Sequence, residues 1–199
     1  MSKNFIFGLG TGRCGSMTLA NLLSLQDDCL VSHEVGGLPY LSWAYNEKKL
    51  VSYLNKINNR PGKYSGDVAF YTLPYTSRLI EVLPEAKFVI LKRDKEQTIS
   101  SYMKKTDGRN HWTQHDGTKW RKDVWDKCYP KFETESKEKA LEMYYEFYYS
   151  ECLKIDQEKC FWISTDELND EKKCLEMLKW CGFENMKYKN FISNKGENK

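Results

Sequence analysis

The sequence predicts an α/β fold in three layers, with a central, mainly parallel sheet of about five strands flanked by helices. Three observations predict it. Short apolar runs alternate with stretches of helical periodicity, the pattern of repeated βα units. One run, Phe88–Leu91, is apolar throughout, as expected of a strand covered on both faces. The first run leads through a glycine-rich loop directly into a helix.

Taken in order, the first strand is expected over Asn4–Leu9. A helix follows from near Gly15, carrying Met17, Leu19, Leu22 and Leu23 inward. Cys29–His33 reads as the second strand. Helical sequence over Glu47–Ile57 ends at Asn58-Asn59-Arg60-Pro61-Gly62, a strong breaker. The third strand is expected over Asp67–Tyr71, with a helix after Pro74. Pro84-Glu85-Ala86 turns into the fourth strand, Lys87–Lys92, which is placed centrally because it is the most apolar. Asp94 then caps a helix, with Gln97 at the capping-box position. Residues 106–134 lapse into Gly, Asp, Asn and scattered Trp. Glu135–Ile155 is helical, with Leu141, Tyr144, Tyr148 and Cys152 on one face. The fifth strand, Cys160–Ser164, leads into a helix from about Asp170 that stops at Gly182.

The 199 residues suit one domain, spanning 1–199. Apolar residues at 40% and charged residues at 30% exclude a long disordered, collagen-like or coiled-coil chain. The longest apolar runs are about four residues, far below the roughly twenty that span a bilayer, so no membrane span is expected. Glycines follow Phe5-Ile6-Phe7 with no signal-peptide core, and the expected location is the cytoplasm. Seven cysteines without a CxxC pair read as reduced core thiols rather than disulfides or zinc ligands. The net charge of +3 says little about partners, whereas aromatic residues, 14% of the chain, crowd the stretch from Trp112 to Tyr149.

The chemistry concentrates in Gly8-Leu9-Gly10-Thr11-Gly12-Arg13-Cys14-Gly15-Ser16-Met17-Thr18. A strand that enters a helix through glycines brings free backbone amides and the positive end of the helix dipole to one point, which is an anion site. The Gly10 to Gly15 spacing fits a Walker loop, but Ser16 stands where that motif requires Lys. The dinucleotide fingerprint fits no better, because Arg13 occupies its third glycine position. The cation here sits inside the loop.

These residues resemble the sulfotransferases that use 3′-phosphoadenosine 5′-phosphosulfate (PAPS). Arg13-Cys14-Gly15-Ser16 is similar to that family's 5′-phosphosulfate loop, with Met17 replacing a second hydroxyl residue and Thr18 following. Arg93 at a strand end, with Ser101 eight residues later on the next helix, resembles the family's grip on the 3′-phosphate. Tyr71-Thr72-Leu73-Pro74 and Phe161–Leu168 extend the likeness over most of the chain outside roughly 104–135.

The resemblance implies a P-loop-like fold and in-line transfer of a sulfuryl group from PAPS, as co-substrate, to a hydroxyl of a small molecule, glycan or lipid. No metal and no nucleic acid are expected to take part. It places Arg13 beside the leaving oxygen, with Gly12, Cys14, Gly15, Ser16, Met17 and Thr18 around the 5′-phosphate and Arg93 and Ser101 on the 3′-phosphate. Asn194-Lys195-Gly196 resembles a late Lys-Gly element that contacts the 3′-phosphate, with a solvated tail as the alternative. Thr72 stands where cytosolic relatives carry a His. The base is therefore expected at the end of the second strand, as Glu34 with His33 second, where protein-tyrosine sulfotransferases supply a Glu.

Three features stay open at this level. His111 and His115 lie four apart but lack the glutamate of a zinc helix. The segment 106–134 reads as an acceptor-side lid or insertion whose Trp rings stack on the acceptor, or as a local cap with aromatics turned inward. Competing functions are a P-loop small-molecule kinase and a non-catalytic module that binds phosphate or single-stranded nucleic acid through the basic aromatic run.

Overall fold

The computed structural model of the chain describes residues 3–37, 39–113 and 123–191. Among them five strands form one sheet in the order β2-β3-β1-β4-β5, and every strand pair is parallel. The strands are β1 (Asn4–Leu9), β2 (Cys29–His33), β3 (Tyr64–Val68), β4 (Lys87–Lys92) and β5 (Cys160–Ser164). The helices between them are α1 (Ser16–Ser24), the one-turn α2 (Glu34–Gly37), α3 (Glu47–Asn58), α4 (Thr76–Val82), α5 (Lys95–Thr106), α6 (Lys137–Cys152) and α7 (Glu171–Cys181).

Strand alternation divides the core into two layers. Phe5, Phe7 and Leu9 of β1 face a cluster with residues of α3, α4, α5 and α6. Ile6 faces the other way, into a cluster with α1 and α7. Caps fix the helix starts: Asn46, Asp94, Ser136 and Asp170 each accept a hydrogen bond from the backbone three residues on. The seven cysteines are free and are buried or half-buried.

Two expectations are corrected. β3 runs over Tyr64–Val68, three residues ahead of the expected Asp67–Tyr71. Its sequence, Tyr-Ser-Gly-Asp-Val, lacks an apolar signature although all five positions are buried. Gly66 is required there, because a side chain would collide with the backbone carbonyl of Ile6 on β1. The apolar Phe70–Tyr75 stretch forms a 3-10 turn instead, with Pro74 inside it. Met17 is exposed rather than inward, because residues two apart lie on opposite sides of a helix and the buried face is that of Leu19, Leu22 and Leu23.

Parallel pairing puts all five carboxyl ends along one edge. From β1 the chain crosses toward β2, whereas from β4 it crosses toward β5. The two connections part between β1 and β4, the switch point at which open α/β sheets bind ligands. Arg13 and Arg93 follow those two strands.

Candidate functional site

The loop after β1 is wound into the left-handed region at Gly12 (φ +83°), Arg13 (φ +57°) and Gly15 (φ +89°). Gly15 starts α1 with no side-chain cap, so among the described residues the first-turn amides carry no capping side chain. At Gly12 a side chain would also strike the Tyr102 hydroxyl. Cys14 packs fully buried under the loop, and burial pushes its thiol up to about 11, so it offers the site its backbone alone.

The loop is held by hydroxyls from other elements. Tyr102 on α5 and Tyr144 on α6 both donate to the carbonyl of Thr11, Tyr144 at 2.9 Å. Tyr148 accepts from the Gly10 amide at 3.0 Å and donates to the Phe70 carbonyl at 3.1 Å. Tyr149 donates to Leu91 at 2.9 Å, Tyr145 to Arg93 at 2.7 Å, and Thr165 after β5 to Cys14 at 2.7 Å. All of these carbonyls lie at or beyond the ends of β1, β3 and β4, so the rows of tyrosines on α6 fasten the working edge of the sheet.

Three of the expected donor residues converge. The Arg13 Nε donates to Ser101 Oγ at 3.1 Å, and Arg93 Nη1 donates to the Arg13 carbonyl at 2.9 Å. Gln97 accepts from Arg93 Nε at 3.2 Å. Among the described residues neither guanidinium has an ion-pair partner. Two guanidiniums joined through the Arg13 backbone and unpaired with carboxylates among the described residues are chemically suited to a multiply charged anion.

The end of β2 supplies the other half. Ser16 Oγ and His33 Nε2 share a hydrogen bond of 2.9 Å, and His33 Nδ1 lies 3.9 Å from Glu34. Burial lowers the proton affinity of His33 and favours its neutral form. Glu34 is raised to about 7, first by burial and then by the Asp67 carboxylate, with Arg13 opposing. Glu34 borders a cavity of about 240 Å³ that also reaches Gly12, Arg13, Ser16 and His33. Its aromatic wall is Phe70 stacked on Tyr129 at 4.6 Å, with Trp125 beyond, and its rim carries Lys105 and Arg109.

A family-wide sequence model described as the sulfotransferase family matches residues 39–154, more than half of the chain. The chain belongs to the sulfotransferase family. The match begins beyond Glu34 and so covers neither the loop after β1 nor the end of β2 of this sulfotransferase. Solved structures agree in fold. A sulfotransferase from Alicyclobacillus acidocaldarius is 15% identical with a TM-score of 0.56, over 95% of this chain and 87% of that one. Mouse sulfotransferase SULT7A1 complexed with PAP is 12% identical with a TM-score of 0.53, over 94% of this chain and 62% of that one. No curated protein sequence matches.

Other expectations divide. Thr72, in the slot of the missing His, is fully buried and donates to the Ala69 carbonyl. His111 faces Asp123 at 3.4 Å and Asp126 at 3.3 Å, while His115 lies outside the described residues, as does Lys195. Within 106–134, Trp112 is fully buried against Tyr102 and Tyr129, whereas Trp125 reaches the cavity. The nucleic-acid alternative runs from Trp112 through Trp120, Arg121, Lys122, Trp125 and Lys127 to Phe132, of which Trp120, Arg121 and Lys122 lie outside the described residues. Among the described residues no helix is long and apolar enough to cross a membrane.

Sequence reasoning missed two sets of residues. The sequence places Tyr144 and Tyr148 on one helix face with Leu141 and Cys152 but gives no role to their hydroxyls, nor to those of Tyr145 and Tyr149. Asp67 was placed at the wrong end of β3 by the shifted register. A carboxylate in an otherwise buried strand was its signal.

Proposed function

We propose that this sulfotransferase moves a sulfuryl group from PAPS to a hydroxyl of a small molecule, glycan or lipid, and releases adenosine 3′,5′-bisphosphate (PAP). The observation that carries the reading is the convergence of Arg13, Arg93 and Ser101, without ion-pair partners among the described residues, on the uncapped start of α1. The PAP in the mouse neighbour is a nucleotide of the class such a site fits.

In this reading the amides of Cys14 to Thr18 and the Ser16 hydroxyl hold the 5′-phosphate, with Gly12 and Gly15 giving the loop its curvature. Arg93 and Ser101 hold the 3′-phosphate. The acceptor oxygen attacks sulfur in line, the bond between sulfur and the bridging oxygen breaks, and that oxygen leaves on PAP. Arg13 neutralises the charge growing there. Glu34 takes the proton from the acceptor hydroxyl. His33 suits this less well, because its Nε2 is engaged with Ser16 and its Nδ1 faces Glu34. Positioning and charge neutralisation supply the rate, and the chemistry requires no group beyond these.

The test is a thermal-shift and calorimetric comparison of PAP, ATP with magnesium, and a single-stranded oligonucleotide. PAP should bind best, and Arg13→Ala and Arg93→Ala should each weaken it by about tenfold or more, the usual range for a charged hydrogen bond. Equal affinity in both variants, or a preference for ATP or the oligonucleotide, overturns the proposal.

A further inference from the structure

Glu34 sits on a backbone that disfavours it. Glu34 has φ +52° and Val35 φ +39°, followed by Gly37 at φ +86°, so α2 is wound left-handed over residues with side chains. Such residues persist only where their surroundings hold them.

The holding group is the side chain of Asp67, which is fully buried at the carboxyl end of β3 beside β2. Its Oδ1 accepts from the Val35 amide at 3.0 Å and from Ser32 Oγ at 2.6 Å. Its Oδ2 accepts from Tyr53 at 3.3 Å. Arg60 closes the network from behind, donating to Ser32 Oγ at 2.9 Å and to the Gly66 carbonyl at 2.6 Å. Ser32 and Val35 bracket His33 and Glu34, so one carboxylate grips the chain on both sides of the proposed base.

We propose that Asp67 is the positioning residue for Glu34: it locks the left-handed turn that presents Glu34 to the cavity and supplies the negative charge behind it. This rests on the reading of Glu34 as the base. A base must be held at a fixed distance from the hydroxyl it deprotonates, and its carboxylate must be basic enough to accept that proton. Asp67 serves both needs from a place no acceptor reaches.

Other groups also face Glu34: Arg13 from the loop after β1, His33 from β2, Tyr71 from the 3-10 turn, and Cys128 and Tyr129 from the segment before α6. Lys105, Arg109 and His111 share its cavity. Arg13 is the named charge that lowers the proton affinity of Glu34, and Asp67 the named charge that raises it. Asp67 is itself raised to about 6 by burial, with Ser32, Val35, Arg60 and Tyr53 opposing.

The test titrates Glu34 directly by carbon NMR of carboxyl-labelled protein, with PAP binding and thermal denaturation as checks on folding. Asp67→Asn keeps an acceptor for Val35 and Ser32 but removes the charge, and the Glu34 midpoint should move toward acid. Asp67→Ala removes the acceptor, and turnover of PAPS with water or a phenol as acceptor should fall about tenfold or more at unchanged PAP affinity. Should Asp67→Asn fail to fold, Ser32→Ala serves. It removes a donor that favours ionised Asp67, so the Asp67 midpoint should rise and that of Glu34 fall. An unmoved Glu34 midpoint, or full turnover in Asp67→Ala, overturns the proposal. Failure of the base reading is separate: Glu34→Gln would keep its turnover while the Glu34 midpoint still followed Asp67.

Discussion

Two strand ends of this molecule solve the same problem with opposite means. After β1 and after β2 the backbone turns through left-handed residues, and each turn must be held. The loop after β1 is held by neutral hydroxyls, Tyr102, Tyr144, Tyr148 and Thr165, four of whose five hydrogen bonds there run to carbonyl oxygens. The Glu34 turn is held by a buried carboxylate that takes a backbone amide. Under the proposed function the difference follows from what each turn must present. An anion site needs its amides free and its cations unmatched, so its fastenings use carbonyls and bring no negative charge. A base needs negative surroundings, so its fastening is an anion.

The largest effect that sharpens this contrast is Glu34→Gln. It should lower turnover by about 10² to 10⁴, the range of a lost general base, with PAP affinity kept. In the parent protein turnover should rise with pH through about 7, because the proposed base accepts a proton only when ionised. A flat profile between pH 6 and 8 would break the contrast.

Tyr148→Phe should act on the other side. It strips partners from the Gly10 amide and the Phe70 carbonyl, and unpaired buried backbone groups cost about 1–3 kcal/mol each at most. Thermal denaturation should show a lower midpoint and calorimetry a weaker hold on PAP, while the pH profile of turnover stays in place. A profile that moved would mean the two turns are not separately fastened.

The smallest effect is on stability against pH. Glu34 and Asp67 both bind protons more tightly folded than unfolded, with folded values of about 7 and about 6. Their contribution is therefore fully present below their ordinary values near 4 and is lost as pH rises through 6 and 7. The melting temperature of Glu34→Gln should decline less than that of the parent between pH 4.5 and 7. An identical slope would show that Glu34 titrates as an exposed carboxylate.

The convergence of Arg13, Arg93 and Ser101 was legible in the sequence because its signals are local. Arg13 sits among glycines of fixed spacing, and Arg93 follows an apolar strand and precedes an Asp94 cap, so strand, loop and helix could be read in one stretch. Four of the five strands stand where periodicity placed them, and α7 ends at Gly182 because that residue adopts φ +101°. The base-side clamp was not legible. Tyr64–Val68 pairs as a strand for reasons of neighbouring backbone, with Gly66 admitting Ile6, and no period-2 pattern marks it. Once β3 was placed three residues late, Asp67 fell at the wrong edge. The tyrosines of α6 were visible as a buried face, yet a hydroxyl's partner 50 to 140 residues away in sequence leaves no mark in the helix that carries it.

The most direct test follows sulfur-labelled PAPS through a panel of phenolic, glycan and lipid hydroxyl acceptors in the parent protein, Arg13→Ala and Glu34→Gln. The label should pass to an acceptor hydroxyl with stoichiometric release of PAP, and both substitutions should cut that transfer by about a hundredfold or more. Label that stays on the donor across the panel, or transfer that survives both substitutions, contradicts the account.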